Sequence, residues 1–241
     1  MRDEIAIACI DESHQSQAVS LARQLKLNID NKANNQLQVT AQGLWLKLAS
    51  FKPMQVDFSW KTWRKRTAQG KRQDIIKACK IKPGMTVIDA TAGWGRDAAL
   101  LASFGAKVIL FERNPVMQAL LLDGISRQSP EDKQHLSVEL IPGEAKDLLK
   151  DVAQNIDLIY IDPMHPQRQK SALVKKDLQA LQTMIGPDAD ARELIECALS
   201  IPCPRVVVKW PVHLPPLLPP TCSWSGKTVR YDLFNPFIEN T

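Results

Sequence analysis

The chain has 241 residues and a formal net charge of +5 at pH 7, with 44% hydrophobic and 24% charged residues. This length is enough to bury a full core, and the composition is ordinary for a soluble globular protein. No apolar run approaches the length needed to cross a bilayer, and acids stand where a signal peptide would have its apolar core. These features exclude an integral membrane protein and predict a cytoplasmic one.

Cysteine and histidine are too scattered to indicate a metal site. The five cysteines include no C-x-x-C pair, and the four histidines are equally dispersed. Metal ligands normally stand at short, regular spacings, and scattered thiols in a cytosolic protein are usually reduced and buried. We therefore predict no metal and no disulfide framework.

Residues 1–69 are predicted to form a small α+β domain. Residues 5–10 are apolar enough for a strand, and residues 17–27 have the pattern of a short helix. Residues 37–39 and 44–48 alternate apolar and polar side chains, as half-buried strands do. We expect no catalytic residue in this domain.

The end of this domain is strongly basic. Residues 60–72 include six basic residues, no acid, and the two tryptophans Trp60 and Trp63. Cationic side chains neutralise phosphates and indole faces stack on unpaired bases, so the segment is a candidate RNA contact. A solvated basic loop with both tryptophans anchored in the core is equally open. The candidate RNA-binding residues are Arg64, Lys65, Arg66, Lys71 and Arg72.

From residue 70 onward, the pattern alternates between strand and helix. Strands are predicted at 86–90, 107–112, 136–141, 156–161, 205–209 and 229–234, and helices at 72–79, 97–104, 115–126, 145–152 and 190–199. This alternation predicts an α/β domain over residues 70–241, with a doubly wound, Rossmann-like, mostly parallel sheet. The proline-rich stretch 211–220 is predicted to be an extended connection.

Ligands bind such sheets beyond the carboxyl ends of the strands. At the first of these ends, Asp89 leads to a loop with Gly93 and Gly95, where the backbone can approach a ligand closely. The loop also satisfies a loose dinucleotide pattern, so an NAD-dependent oxidoreductase stays open. A pyrophosphate prefers a helix N-terminus with few acids, whereas Asp89 and Asp97 flank this loop. A cationic sulfonium ligand such as S-adenosylmethionine therefore fits better.

The next two strand ends add candidate ligand contacts. Glu112 can accept hydrogen bonds from both hydroxyls of a ribose, which NAD and S-adenosylmethionine share; the alternative is a surface acid that caps the following helix. Glu144 and Ala145 place a carboxylate and a backbone N–H where an adenine edge is expected. Neither position separates the two ligands.

The fourth strand ends in Asp162-Pro163-Met164-His165, which resembles the Asn/Asp-Pro-Pro-aromatic motif of amino-group methyltransferases. An exocyclic base amine is a poor nucleophile, because its lone pair is delocalised into the ring. The Asp162 carboxylate and a backbone carbonyl aimed by proline can accept its N–H bonds, while the flanking side chain stacks on the flipped base. Transfer is then mostly a matter of positioning. A simple strand-ending turn is the alternative.

A second methyltransferase-like feature is Pro202-Cys203, which resembles the Pro-Cys nucleophile of cytosine-C5 enzymes. It precedes the fifth predicted strand instead of following the fourth, and a thiolate would need local activation. We interpret Cys203 as structural.

Over about residues 70–235, the chain resembles the ribosomal RNA small-subunit methyltransferase J family. The resemblance is carried by residues 89–97, 112–115, 162–164, 169–176, 186–188 and 205–209. It implies a class I methyltransferase sheet and methylation of guanine N2 in the 3′-terminal region of 16S rRNA, free or in the small ribosomal subunit. It also implies that S-adenosylmethionine is held by Arg96, Asp97, Glu112, Arg113 and Asp162.

The sequence departs from the family at two places, His165 for an aromatic residue and Glu144-Ala145 for small hydroxyl residues. Lys170, Lys175 and Lys176 are predicted to clamp RNA phosphates, with a solvated helix face as the alternative. Three other functions stay open: methylation of DNA adenine or of a protein amide, NAD-dependent oxidation, and RNA binding without catalysis.

Overall fold

The computed structural model describes residues 5–49, 51–68, 70, 73–152, 155–164 and 188–235. Six of the predicted site residues lie outside these ranges: Lys71, Arg72, His165, Lys170, Lys175 and Lys176. The roles predicted for them stay predictions.

The N-terminal residues form a three-stranded sheet with one helix. Strand β1 (Ala6–Cys9) pairs in parallel with β2 (Gln36–Thr40), which pairs in antiparallel with β3 (Gly43–Lys47). Helix α1 (Gln15–Leu25) makes the connection between the two parallel strands, after a 3-10 turn at Glu12–His14. The predicted α+β elements of this part of the chain are all present.

The larger sheet has seven strands in the order β6-β5-β4-β7-β8-β10-β9. Strand β10 runs antiparallel to both of its neighbours, and the other pairs are parallel. The strands are β4 (Thr86–Asp89), β5 (Lys107–Glu112), β6 (Ser137–Pro142), β7 (Leu158–Ile161), β8 (Val206–Pro211), β9 (Cys222–Ser225) and β10 (Val229–Phe234). The helices are α2 (Trp60–Ala68), α3 (Asp74–Cys79), α4 (Arg96–Ala102), α5 (Pro115–Ser126), α6 (Pro130–His135), α7 (Ala145–Val152) and α8 (Ala191–Leu199).

Both faces of the central strands are buried, which is why these strands are apolar without a break. Successive side chains point to opposite faces, so Val87 and Ile88 belong to separate hydrophobic clusters. One cluster contains α4 and α5 and continues into the small sheet through Leu37 and Leu46. The other contains residues of α7 and α8. Helices on both faces confirm the predicted doubly wound, Rossmann-like fold.

The strand order reverses between β4 and β7. The chain moves outward from β4 to β5 and β6, then returns to the other side of β4 as β7. The connections that leave β4 and β7 therefore diverge, and they open a crevice at the carboxyl edge of the sheet. This crevice lies beside the loop after β4 and beside Asp162, which follows β7.

Three elements were not predicted. The basic segment begins as a helix, α2; short helix α6 and edge strand β9 are also new. All four residues of β9 are exposed, so they lack the alternation by which a half-buried strand is recognised. None of the helices in the described ranges is long and apolar enough to cross a membrane.

The two tryptophans of α2 are anchored in the protein, as the second interpretation of this segment expected. Trp63 is buried and its indole N–H donates to the Asp57 carbonyl at 2.7 Å. Trp60 stacks on His135 with ring centroids 4.2 Å apart and planes 14° from parallel. Trp63 is therefore not presented to RNA bases, whereas base stacking on the half-buried Trp60 stays a prediction.

Gly95 illustrates how the small sheet supports the loop after β4. Its φ is +66°, and a Cβ there would lie 2.6 Å from Cζ of Phe58. Gly84 has a similar φ of +84° but nothing within 4 Å of a Cβ. We expect Gly84→Ala to lower the free energy of unfolding by about 1–2 kcal/mol, because alanine is strained in the left-handed backbone conformation. Gly95→Ala should lower the free energy of unfolding by about 1–3 kcal/mol more than Gly84→Ala, because its Cβ would clash with Phe58.

Urea unfolding of both variants and the wild type measures the difference. Equal losses for the two glycines would show that Phe58 does not press on the loop.

Candidate active site

Glu112 ties the glycine loop to the end of β5. Its Oε2 accepts the N–H of Gly93 at 2.9 Å, and its Oε1 accepts the N–H of Asn114 at 2.8 Å. The residue is 7% exposed, and burial raises the pKa of its carboxyl group. Asn114 caps α5 instead, with its side chain accepting from Val116 and Met117. The alternative that Glu112 is a surface acid capping this helix is therefore wrong.

Asp89 lies beneath the same loop, with 2% of its surface exposed. Its Oδ1 accepts the N–H of Thr91 at 3.1 Å. Burial, assisted by the negative charges of Asp97 and Asp162, raises the pKa of Asp89 to about 8 although the bond from Thr91 lowers it. Its position fits support of the loop from below; the cofactor contact predicted for Asp89 stays a prediction.

Lys209 links the loops that follow β4 and β7. Its Nζ donates to Oδ2 of Asp162 at 2.6 Å and to Oδ2 of Asp97 at 2.8 Å. The Tyr160 hydroxyl donates to the same Asp97 oxygen at 2.7 Å. Burial favours the neutral acid at Asp97, but the Lys209 ammonium and the Tyr160 hydrogen bond outweigh it and lower the pKa of Asp97.

Lys209 was not among the predicted site residues. A signal was available, because Lys209 is the one charged residue in the apolar strand β8. A lysine at the carboxyl end of a buried strand needs an acidic partner. The identity of the partners, Asp97 and Asp162, depends on strand order.

Arg113 lies in a network of ion pairs at the end of β5. Its guanidinium pairs with Asp188, with Asp190 at 3.2 Å, and with Glu144 at 3.6 Å. Lys146 extends the network, 3.0 Å from Asp190. Ala145 begins α7 and is buried. The predicted cofactor residues Arg113, Glu144 and Ala145 are thus brought together, and the two aspartates are additional members.

The described cations of the basic segment lie on one side of the site. Arg64, Lys65 and Arg66 are exposed on α2. Arg66 rests over the ring of Trp63 at 5.1 Å, and its charge contributes to the lowered pKa of Asp97. Arg96 is exposed at the first position of α4. Helix α2 and the loop after β4 therefore border the same crevice.

Cys203 has the features of a structural thiol. It is buried, its Sγ donates to the Arg205 carbonyl at 3.2 Å, and burial raises its pKa. A buried thiol with a raised pKa is a poor nucleophile.

The sequence matches a family model of SAM-dependent methyltransferases over residues 20–236. It is 52% identical over 224 residues to a ribosomal RNA small subunit methyltransferase J from Legionella pneumophila, covering 92% of each chain. The chain belongs to the ribosomal RNA small subunit methyltransferase J family. A Coxiella burnetii member is 39% identical, with 97% of this chain and 98% of the relative covered.

A solved structure supports the same fold for the whole chain. The crystal structure of a SAM-dependent methyltransferase from Neisseria gonorrhoeae superposes with a TM-score of 0.73 and 27% identity, covering 98% of each chain. The enzyme is a SAM-dependent methyltransferase with a Rossmann-like sheet, and its cofactor is S-adenosylmethionine. Family membership decides between the two ligands that the glycine loop left open, in favour of S-adenosylmethionine over NAD.

The residues of the crevice fit this cofactor. Lys209 pairs with Asp97 and Asp162, and the buried Asp89 lies close to both acids, so among the described contacts the acids outnumber the ammonium and suit a cationic sulfonium. Gly93 and Gly95 have φ values of 49° and 66°, which turn the loop sharply at the end of β4.

The raised pKa of Asp89 predicts a pH-dependent stability. Between its unfolded value near 4 and its folded value of about 8, the folded state binds more protons than the unfolded state. Stability from this group is therefore present at low pH and is lost as pH rises through that window. Asp89→Asn keeps an acceptor for the Thr91 N–H and removes the ionisation.

The free energy of unfolding of wild type and variant, measured from pH 4 to pH 8, checks this. The free energy of unfolding of Asp89→Asn should rise relative to that of the wild type as pH rises. A difference between the two proteins that stays constant with pH would contradict a buried, neutral Asp89.

Proposed function

We propose that this enzyme methylates the N2 amino group of a guanine in the 3′-terminal region of 16S rRNA, free or in the small ribosomal subunit. The observation that carries the proposal is the position of Asp162-Pro163 at the end of β7, where Lys209 holds the Asp162 carboxylate beside the glycine loop. The relatives from Legionella pneumophila and Coxiella burnetii, which are rRNA methyltransferases by name, support an rRNA substrate for this chain. Such a substrate would be met in the cytoplasm.

S-adenosylmethionine supplies an electrophilic methyl group on sulfur. The Asp162 carboxylate and a neighbouring backbone carbonyl accept the two N–H bonds of the guanine amine, which draws the nitrogen towards sp³ character and localises its lone pair. As the nitrogen bonds to the methyl carbon the carbon–sulfur bond breaks, and the proton that the amine loses passes to the carboxylate. Lys209 and the bond from the Asp162 N–H to Thr91 Oγ1, at 2.6 Å, restrict the carboxylate and its backbone. The main contribution of these residues is the alignment of nitrogen and methyl carbon. Pro163, Met164 and His165 complete the proposed acceptor loop.

The proposed cofactor contacts follow the strand ends. Glu112 already accepts two backbone N–H groups, but each carboxylate oxygen has a second lone pair for a ribose hydroxyl. Asp97 lies where the amino-acid end is expected, with Arg96 at its side. Glu144-Ala145 is proposed beside the adenine, and Arg113 orders this region through its ion pairs.

The basic face of α2 is proposed to hold the RNA. Its exposed cations are Lys61, Arg64, Lys65 and Arg66, of which Arg66 lies close enough to help lower the pKa of Asp97, and phosphates of a folded rRNA are their natural partners. Because Trp63 is buried, this face supplies mainly charge. A small protein amide would leave these cations without partners.

The product nucleoside tests the proposal directly. Purified enzyme is incubated with labelled S-adenosylmethionine and either naked 16S rRNA or small subunits, and the RNA is digested for mass spectrometry. We expect N2-methylguanosine from at least one substrate. Asp162→Ala should lower turnover by about tenfold or more through loss of amine alignment, while part of the cofactor binding remains.

Label in another nucleoside, or none in RNA, would overturn the guanine assignment. Unchanged turnover of Asp162→Ala would remove the role assigned to the carboxylate.

Charge reversal on α2 tests the RNA-binding face. Changing Arg64, Lys65 and Arg66 to Glu should weaken RNA binding and reduce the slope of log Kd against log salt by up to about 3, since each phosphate contact contributes about 0.9. The matched control reverses Lys80, Lys82 and Lys107, which are exposed and lie before or at the start of β4 and β5, at the opposite edge of the sheet. If the slope of log Kd against log salt changed equally in the α2 variant and the control variant, the RNA would not bind specifically to the face of α2.

A further inference from the structure

Asp188 lies in the segment 186–188, which carries part of the family resemblance but has no predicted function. In the fold it contacts the proposed acceptor loop twice. Its Oδ2 accepts the N–H of Met164 at 2.6 Å, and its own N–H donates to the Met164 carbonyl at 2.8 Å. The two residues therefore bond reciprocally, and the segment that enters α8 is fastened to the loop that follows β7.

The other oxygen of the same carboxylate connects to the cofactor side of the site. Oδ1 of Asp188 pairs with the guanidinium of Arg113, directly after Glu112. Strands β5 and β7 flank β4, so their ends are about 10 Å apart, twice the strand spacing. Hydrogen bonds between strands join only adjacent strands and cannot span that gap. The ion pair between Asp188 and Arg113 spans it.

The bond to Met164 has a directional consequence for the preceding carbonyl. The described residues contain no cis peptide bond, so the C=O of Pro163 and the N–H of Met164 point in opposite directions across one planar unit. Anchoring that N–H on Asp188 turns the Pro163 carbonyl the other way. The Met164 carbonyl already receives the Asp188 N–H, which leaves the Pro163 carbonyl as the better placed acceptor for the substrate amine.

We propose that Asp188 is a positioning residue that aims the Pro163 carbonyl at the methyl-accepting amine and couples this aim to Arg113. The inference rests on the proposed acceptor role of the loop after β7. Burial favours the protonated acid at Asp188 and raises its pKa, although the Met164 N–H and Arg113 act in the opposite direction. Loss of the carboxylate would leave the Met164 N–H without its side-chain acceptor.

Three variants separate the functions of this carboxylate. Asp188→Ala removes both side-chain contacts. Asp188→Asn keeps an oxygen for the Met164 N–H and loses the charged pair with Arg113. Asp190→Asn is the comparison variant, because Asp190 pairs with the same Arg113 but makes no bond to Met164 among the described contacts.

Methyl incorporation into small subunits and naked 16S rRNA gives kcat, and calorimetry gives the Kd for S-adenosylmethionine. We expect Asp188→Ala to lower kcat about 10- to 100-fold while the cofactor Kd changes less than about threefold, the result of misalignment and not of lost binding. Asp188→Asn should recover most of that loss. Asp190→Asn, which also weakens the pairing of Arg113, should lower kcat less than Asp188→Ala does, because the bond from Met164 to Asp188 remains.

Wild-type kcat in Asp188→Ala would overturn the inference, as would an Asn variant no better than the Ala variant. So would parallel losses of kcat, cofactor binding and thermal stability, since they would indicate a structural role. The nucleoside analysis keeps the two proposals apart. Label in a base other than guanine refutes the guanine assignment, and the ratios of kcat among the variants still decide the role of Asp188.

Discussion

Lys209 makes the two bonds on which the arrangement of the site depends. One ammonium from β8 reaches an aspartate at the start of α4 and another at the end of β7. These acids lie close to Asp89, and three neighbouring carboxylates repel one another unless they are neutralised. Lys209 keeps two of them ionised and in place, and the third, which is fully buried, holds its proton up to about pH 8.

The small N-terminal sheet contributes to the site without supplying an acid to it. Phe58 packs on Gly95, and Val56 lies against Gly124 of α5, so the segment before α2 presses on the loop and on the helix that follow β4 and β5. The same packing brings Arg66 near Asp97. A single hydrophobic cluster links the two sheets, and through Trp63 it gives helix α2 a defined place beside the loop after β4.

Ion pairs beyond the crevice extend this order to the outer strands. Arg113 gathers Glu144, Asp188 and Asp190 from three separate segments, and Asp188 fastens the acceptor loop. The ends of β5 and β7 are thus joined through side chains, and the proposed alignment of a sulfur-bound methyl group with an amine would need such a connection.

The sequence by itself determined the sheet and the residues at its strand ends, because unbroken apolar runs alternate with helices and the acids and glycines follow each run directly. Only the tertiary structure decided the partners of those acids. Lys209 and Asp188 are distant in sequence from Asp97 and Met164, so no local pattern joins them. Trp60 and Trp63 likewise stand among cations in the sequence, and only the tertiary structure shows that Trp63 is buried with its N–H on the Asp57 carbonyl while Trp60 is half-buried against His135. The position of a residue in the sequence determines whether it lies at a strand end, whereas the order of the strands in the sheet determines which of these residues contact each other.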